Sequence, residues 1–302
     1  MKRMIMNHQV IYFIAVVLIL ISCSVKKKDM NENVSSMAIK EDSIIPKTGY
    51  ADVNGLTMYY EIYGEGKPLV LIHGGGSTIQ TSFGRIIPEL SKHRQVIGVE
   101  LQAHGRTSDR SADLTFEQDA DDVAMLLKNL KILKADFLGF SNGGMTTLQI
   151  AMRHPQLVDN IIVGSALYKR SGVPPEFWEF MKKATIDYMP QQYKDAFLKV
   201  SSNPQGLQTM HDKCAKRMAE FKDWKEAQLK SITAKTLLII GDADLMTPEH
   251  AVEMYRLIPN CQLAILPGGH GKYLGEITTL SNQDDWQPLA IPLIKEFLGK
   301  KE

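Results

Sequence analysis

Six short, almost wholly apolar runs punctuate the chain: "PLVLIHGGG", "QVIGVEL", "ADFLGFSNGG", "NIIVGSA", "KTLLIIGDAD" and "CQLAILPGGH". A strand that is apolar on both faces must be covered on both faces. Between these runs lie stretches with helical spacing, such as "TFEQDADDVAMLLKNL", which Thr115 opens as an N-cap with acids in the first turn, and "GGMTTLQIAMRHP", stopped by Pro155. Strands that alternate with helices predict an α/β protein with a mostly parallel, twisted sheet and helices on both faces. "LTMYYEIYG" reads as an early antiparallel strand, and "WQPLAIPLIKEFLGK" as a closing helix. The alternation stops between Tyr168 and Ser231. There "PPEFWEFMKKATIDYMPQQYKDAFLKV" is helix-like and falls between two strands, so residues of about 167–232 are read as an inserted helical cap on a domain spanning 50–302.

The N-terminal residues follow a different logic. Lys2 and Arg3 precede an apolar run from Val10 to Ile21, too short to span a bilayer comfortably but laid out like an export signal. The run ends in "LISC", which resembles the lipobox of bacterial lipoprotein signal peptides. That resemblance implies cleavage of residues 1–22, a lipid on Cys23, and a protein held in the bacterial cell envelope by its lipid anchor alone. Residues 23–49 are polar and poor in aromatics, the composition of a flexible tether. The whole chain carries a formal charge of +1, and losing residues 1–22 removes two positive charges, leaving a mature chain near −1. Nothing in that balance suits a nucleic-acid partner. Cys214 and Cys261 are the remaining cysteines. Export permits a bridge between them, but Cys261 opens an apolar strand and is expected to pack in the core.

Chemistry concentrates where strands end, since ligands of open α/β sheets sit beyond the carboxyl ends of the strands. "GFSNGG" has the form G-x-S-x-G, in which Gly139 and Gly143 allow a tight strand-to-helix turn that exposes Ser141. A serine hydroxyl needs a base, and the base an orienting group. Of eight histidines, His270 in "LPGGHG" follows the last strand. His8 lies in the signal-like segment, His73 and His104 occupy loops where a structural role is expected, and the others fall in or near helices. "IIGDADLMTP" supplies Asp242 and Asp244 after an intermediate strand. In "LIHGGGST", three glycines expose backbone N–H groups which, with the N–H of Asn142, can cradle an oxyanion. Phosphate binding is disfavoured because neither G-K-[ST] nor G-x-G-x-x-G is present. The acid run "EQDADD" is read as a helix start rather than a metal site.

Taken in order, "LVLIHGGGST", "VIGVELQAHGRTSD", "DFLGFSNGGMTTLQIAMRHP", "TLLIIGDADLMTP" and "ILPGGHG" resemble the landmarks of the α/β-hydrolase superfamily over about Tyr50 to Leu298. The resemblance implies Ser141 as nucleophile, His270 as base, Asp244 rather than Asp242 as acid, and the Gly75 and Asn142 N–H groups as oxyanion donors. It implies no cofactor. The expected activity is cleavage of a small or medium carboxylic ester through an acyl-enzyme. Alternatives on this scaffold are C–C bond hydrolysis, lactone opening, acyl transfer and cofactor-free perhydrolysis, or a ligand-binding protein that turns nothing over. Glu100, Ala103 and Thr107 depart from the family's usual Asp, Gly and Ser, which affects pocket shape rather than reactivity. The stretch "KYLGEITTLSNQDD" after His270 is read as surface, with a role at the site entrance as the alternative. Apolar cap residues (Phe177, Trp178, Phe180, Met181, Tyr188, Met189) either meet an apolar substrate group or pack the cap onto the core.

Overall fold

The computed structural model describes residues 45–280 and 287–299, all within one compact unit, Ile44–Glu302. The expectations for the signal-like segment, the lipidated Cys23 and most of the tether lie outside the described residues. Eight strands form one sheet: β1 (Lys47–Val53), β2 (Leu56–Tyr63), β3 (Pro68–Ile72), β4 (Gln95–Val99), β5 (Ala135–Phe140), β6 (Val158–Gly164), β7 (Lys235–Gly241) and β8 (Cys261–Leu266). Their spatial order is β1-β2-β4-β3-β5-β6-β7-β8. The pairings β1–β2 and β2–β4 are antiparallel, and all the others are parallel. Tyr50 falls in the middle of β1, so the first strand begins three residues ahead of the boundary read from sequence.

Ten α-helices accompany the sheet among the described residues: α1 (Ile79–Phe83), α2 (Ile87–Leu90), α3 (Phe116–Asn129), α4 (Asn142–Arg153), α5 (Pro175–Met181), α6 (Gln191–Val200), α7 (Gly206–Ala219), α8 (Glu226–Lys230), α9 (Pro248–Leu257) and α10 (Ala290–Phe297). The apolar runs are apolar throughout because both faces of the sheet are buried. Along β3, Leu69 and Leu71 face one core with Phe83 and Leu90 of α1 and α2 and Ile294 of α10. Val70 and Ile72 face the opposite core with Val123, Leu148 and Met254 of α3, α4 and α9. Burying each such side chain contributes roughly 1.5–3 kcal/mol relative to leaving it exposed. Thr115 caps α3, its hydroxyl accepting from Gln118 N–H.

Helices α5 to α8 all lie between β6 and β7. A buried ion pair pins α7 to α3: Arg217 Nη1 lies 2.6 Å from Asp119 Oδ2, and the guanidinium stacks over Phe116. The neighbours of Asp119 in the acid run are also paired, Asp121 with Arg153 and His154 at the surface, and Asp122 with Arg110.

Candidate active site

The turn from β5 into α4 decides where the serine goes. A Cβ on Gly143 would lie 2.0 Å from the Ile72 carbonyl oxygen, so α4 can approach β3 this closely only with glycine there. Ser141 itself sits at φ 55°, ψ −120°, a backbone conformation that is strained for a residue with a Cβ. The strain places its hydroxyl 3.0 Å from Nε2 of His270. His270 Nδ1 lies 2.7 Å from Oδ1 of Asp244, whose side chain is wholly buried. With Asp244 ionised, Nδ1 carries the ring proton and Nε2 is left to accept from the serine. Burial alone would raise the Asp244 carboxyl. The hydrogen bond and charge of His270, with hydrogen bonds from Ser165 and the Gly241 N–H, outweigh burial and hold it below the ordinary carboxylate range. Asp242 faces elsewhere and accepts from Gly268 N–H at 2.8 Å.

The two expected oxyanion donors are neighbours. A Cβ on Gly75 would fall 2.3 Å from Nδ2 of Asn142. Among the described residues neither the Gly75 nor the Asn142 backbone N–H has an acceptor, whereas those of Gly74 and Gly76 are taken by Ser82 Oγ and His104 Nε2. His73 and His104 thus brace the glycine loop. His73 Nδ1 donates to Gly74 O at 2.7 Å and Nε2 accepts from Leu101 N–H at 3.1 Å. Burial pushes His104 down to about 4, and His73 is lowered well below its ordinary value chiefly for the same reason. Glu100 is buried against Gly105 of the following loop, accepts from Arg106, and is raised by burial to about 7.

Sequence reasoning missed three residues. Ser165, at the end of β6, donates to Asp244 Oδ2 at 2.5 Å from a backbone with φ 48°. Its Oγ also meets the Tyr273 hydroxyl at 2.8 Å. The only sequence signal was a serine at a strand end in "NIIVGSA". Tyr273 and Glu276 also correct the reading of "KYLGEITTL" as surface: both are at most 1% exposed. Glu276 accepts from Tyr193 of α6 at 2.7 Å and from Thr278 N–H at 2.9 Å, so its polar side chain is buried with partners. Residues 281–286 of that stretch lie outside the described residues.

Above the serine is a cavity of about 230 Å³ whose walls include Phe177, Met181 and Met218 from the cap and Met145, Leu245 and Met246 from the core. Trp178, by contrast, packs against Phe221 and belongs to the core. Cys214 and Cys261 are both free. The Cys261 thiol is partly buried, and burial raises it to about 12.

A mostly parallel sheet with this order, a serine turn after β5 and cores on both faces fit one architecture. The chain has the α/β-hydrolase fold. The profile of a family described as alpha/beta hydrolase fold matches residues 67–207. An enol-lactonase from Burkholderia xenovorans LB400 superposes with a TM-score of 0.64 at 22% identity, over 83% of this chain and 99% of that one. Among curated proteins, an (E)-2-((N-methylformamido)methylene)succinate hydrolase of Acinetobacter baylyi is 31% identical over 118 residues, 39% of this chain and 44% of that protein. A 2-hydroxymuconate semialdehyde hydrolase of Pseudomonas sp. is 38% identical over 108 residues, 34% of this chain and 38% of that protein. The chain spans less than half the length of these two curated relatives. Within this α/β-hydrolase fold, the serine, histidine and aspartate come from the ends of β5, β8 and β7 respectively.

Proposed function

We propose that the protein hydrolyses carboxylic esters of apolar acids or alcohols through an acyl-enzyme on Ser141. The observation that carries the reading is the Ser141–His270–Asp244 chain, at 3.0 and 2.7 Å, on the floor of an apolar cavity. His270 takes the Ser141 proton as Oγ attacks the ester carbonyl carbon, and Asp244 stabilises the imidazolium. The carbonyl oxygen, now negative, accepts from the N–H groups of Gly75 and Asn142, an interaction worth about 3–4 kcal/mol for one such donor in comparable sites. His270 then gives its proton to the departing alkoxide, and the alcohol leaves. Water, deprotonated by His270, attacks the acyl-enzyme and releases the acid.

Among the described residues no lysine or arginine lines the cavity, so a substrate with a carboxylate beside its reacting carbonyl would be desolvated there without a cation from those walls to meet it. That favours neutral esters over carboxylate-bearing substrates. Attachment to the cell envelope through a lipid on Cys23 is part of the proposal and rests on the sequence resemblance alone.

The test is to treat the protein with a fluorophosphonate, measure intact mass, and follow p-nitrophenyl butyrate hydrolysis, with Ser141→Ala and His270→Ala as controls. One adduct and turnover are expected from the wild type, and neither from folded Ser141→Ala. Full activity in either variant would overturn the assignment. A wild type that binds esters without releasing acid would be a binding protein.

A further inference from the structure

A second cavity, of about 170 Å³, adjoins the first under the cap. Gly75, Met181, Tyr193 and Cys214 line both, so these residues form the junction between the two spaces. Ser141, Asn142 and His270 line only the first. We infer that the substrate site has two arms, and that the second cavity holds the acyl chain while the alcohol lies in the first. This rests on the ester reading given above.

The assignment follows from the chemistry at the junction. The carbonyl oxygen must reach the Gly75 N–H, which borders both cavities. His270 must protonate the departing alkoxide, so that oxygen and the alcohol it carries lie on the His270 side, in the first cavity. The acyl carbon's remaining substituent points away from the imidazole, and the second cavity is the space beyond the junction. Its walls suit an unbranched or aromatic hydrocarbon: Phe180, Ala184, Tyr188, Met189 and Met210 contribute apolar surface. Methionine side chains adapt to chains of different shape.

Two further features define this arm. Tyr193 cannot swing freely, because its hydroxyl is held by the buried Glu276 at 2.7 Å. It is a fixed wall at the junction. Gly76 adopts φ +73°, and a Cβ there would approach the Met189 methyl to 3.3 Å, so glycine keeps the floor of the arm open. At its far end Phe180 and Tyr188, 46% and 67% exposed, meet edge to face with centroids 5.5 Å apart. The arm is therefore walled on that side by two solvent-exposed rings, and chains longer than the cavity can pass beside them toward solvent rather than being refused.

The experiment compares two ester series in the full chain. One lengthens the acyl group on p-nitrophenol from acetyl to decanoyl. The other keeps acetyl and lengthens the alcohol. In the wild type, kcat/KM should rise by up to about fourfold per acyl methylene, the equivalent of about 0.8 kcal/mol per buried CH₂, and then level off without collapsing. Ala184→Phe fills the second cavity, and should lower the decanoyl-to-acetyl ratio of kcat/KM at least tenfold while moving the alcohol-series ratio much less. Ala184→Leu, a smaller filling, should fall between, so that the test survives if the phenylalanine variant does not fold. A loss confined to the alcohol series would reverse the arms and overturn the inference. Equal ratios in wild type and both variants would show the second cavity unused. If the wild type cleaves neither series, the ester reading itself fails. If it cleaves both and the ratios do not move, only the two-arm assignment fails.

Discussion

Removing the Ser165 hydroxyl is the sharpest test of how the candidate triad is held. Asp244 is fully buried, and its Oδ2 has one short partner, Ser165 Oγ at 2.5 Å. The Gly241 N–H is the next, at 3.4 Å. A hydrogen bond to a charged group contributes about 1.5–3 kcal/mol. In Ser165→Ala that contribution is lost, and the carboxylate is held toward His270 only by His270 itself and the longer Gly241 and Met246 N–H contacts. Each 1.36 kcal/mol of lost transition-state stabilisation is tenfold in rate, so kcat should fall by roughly 10- to 100-fold. KM should change little, because Ser165 does not line the substrate cavity. The assay is steady-state hydrolysis of a p-nitrophenyl ester, with the rate of fluorophosphonate labelling as a second measure of nucleophilicity. Tyr273→Phe removes a hydroxyl that touches Ser165 and the Ile239 carbonyl but not Asp244, and should produce a smaller fall. A kcat for Ser165→Ala within twofold of wild type would mean that Asp244 keeps its orientation without Ser165.

Three other outcomes follow from the same structure. Ser141→Gly should be inactive yet more stable than Ser141→Ala by about 1–3 kcal/mol in urea unfolding, because only glycine relieves the positive φ. Asp119→Ala strands the buried Arg217 charge and should cost about 3–5 kcal/mol, while Asp119→Leu combined with Arg217→Met should recover most of it; equal stability of the two variants would refute the pairing argument. Burial holds His104 and His250 at about 4 rather than near 6.5. The unfolded chain therefore takes up protons that the folded chain refuses, so the contribution of these two histidines is complete above pH 6.5. It falls as the pH drops from there to about 4, by up to roughly 1.4 kcal/mol per pH unit for each histidine. Glu100, raised by burial to about 7, acts in the opposite sense over this range, so the readout is a difference: between pH 7.5 and 4.5 the urea midpoint of His250→Gln should fall less than that of the wild type.

Much of the scaffold was legible because its signals are local. The apolar runs predict buried strands wherever both faces must be covered, and Thr115 marks the start of α3 from a single side chain. Gly139 and Gly143 betray the serine turn because the backbone there tolerates no Cβ, and that physics needs no knowledge of the rest of the fold. Legibility ends where a residue's environment is supplied from far along the chain. Ser165 meets Asp244 across 79 residues and Tyr273 across 108, and nothing near Ser165 announces either partner. Glu276 is the reverse case. Its own carboxylate places it in water on hydropathy, yet Tyr193 arrives from a cap helix 83 residues away and makes burial tolerable. The choice between Asp242 and Asp244 also turned on family resemblance rather than spacing, since only three-dimensional placement shows which carboxylate faces His270.

The insertion of about 70 residues between β6 and β7 has a consequence for how this protein comes to work. The β6–β7 pairing closes a loop of that size, at an entropic cost of about 4 kcal/mol before any contact offsets it. Ser141 lies on the near side of that closure, and Asp244 and His270 lie on the far side. A refolding chain can therefore bury the strands from β1 to β6 while Ser141, the proposed nucleophile, still lacks His270 and Asp244. On the proposed mechanism, activity is a clock for the last long-range pairing. It starts only when β7 and β8 dock.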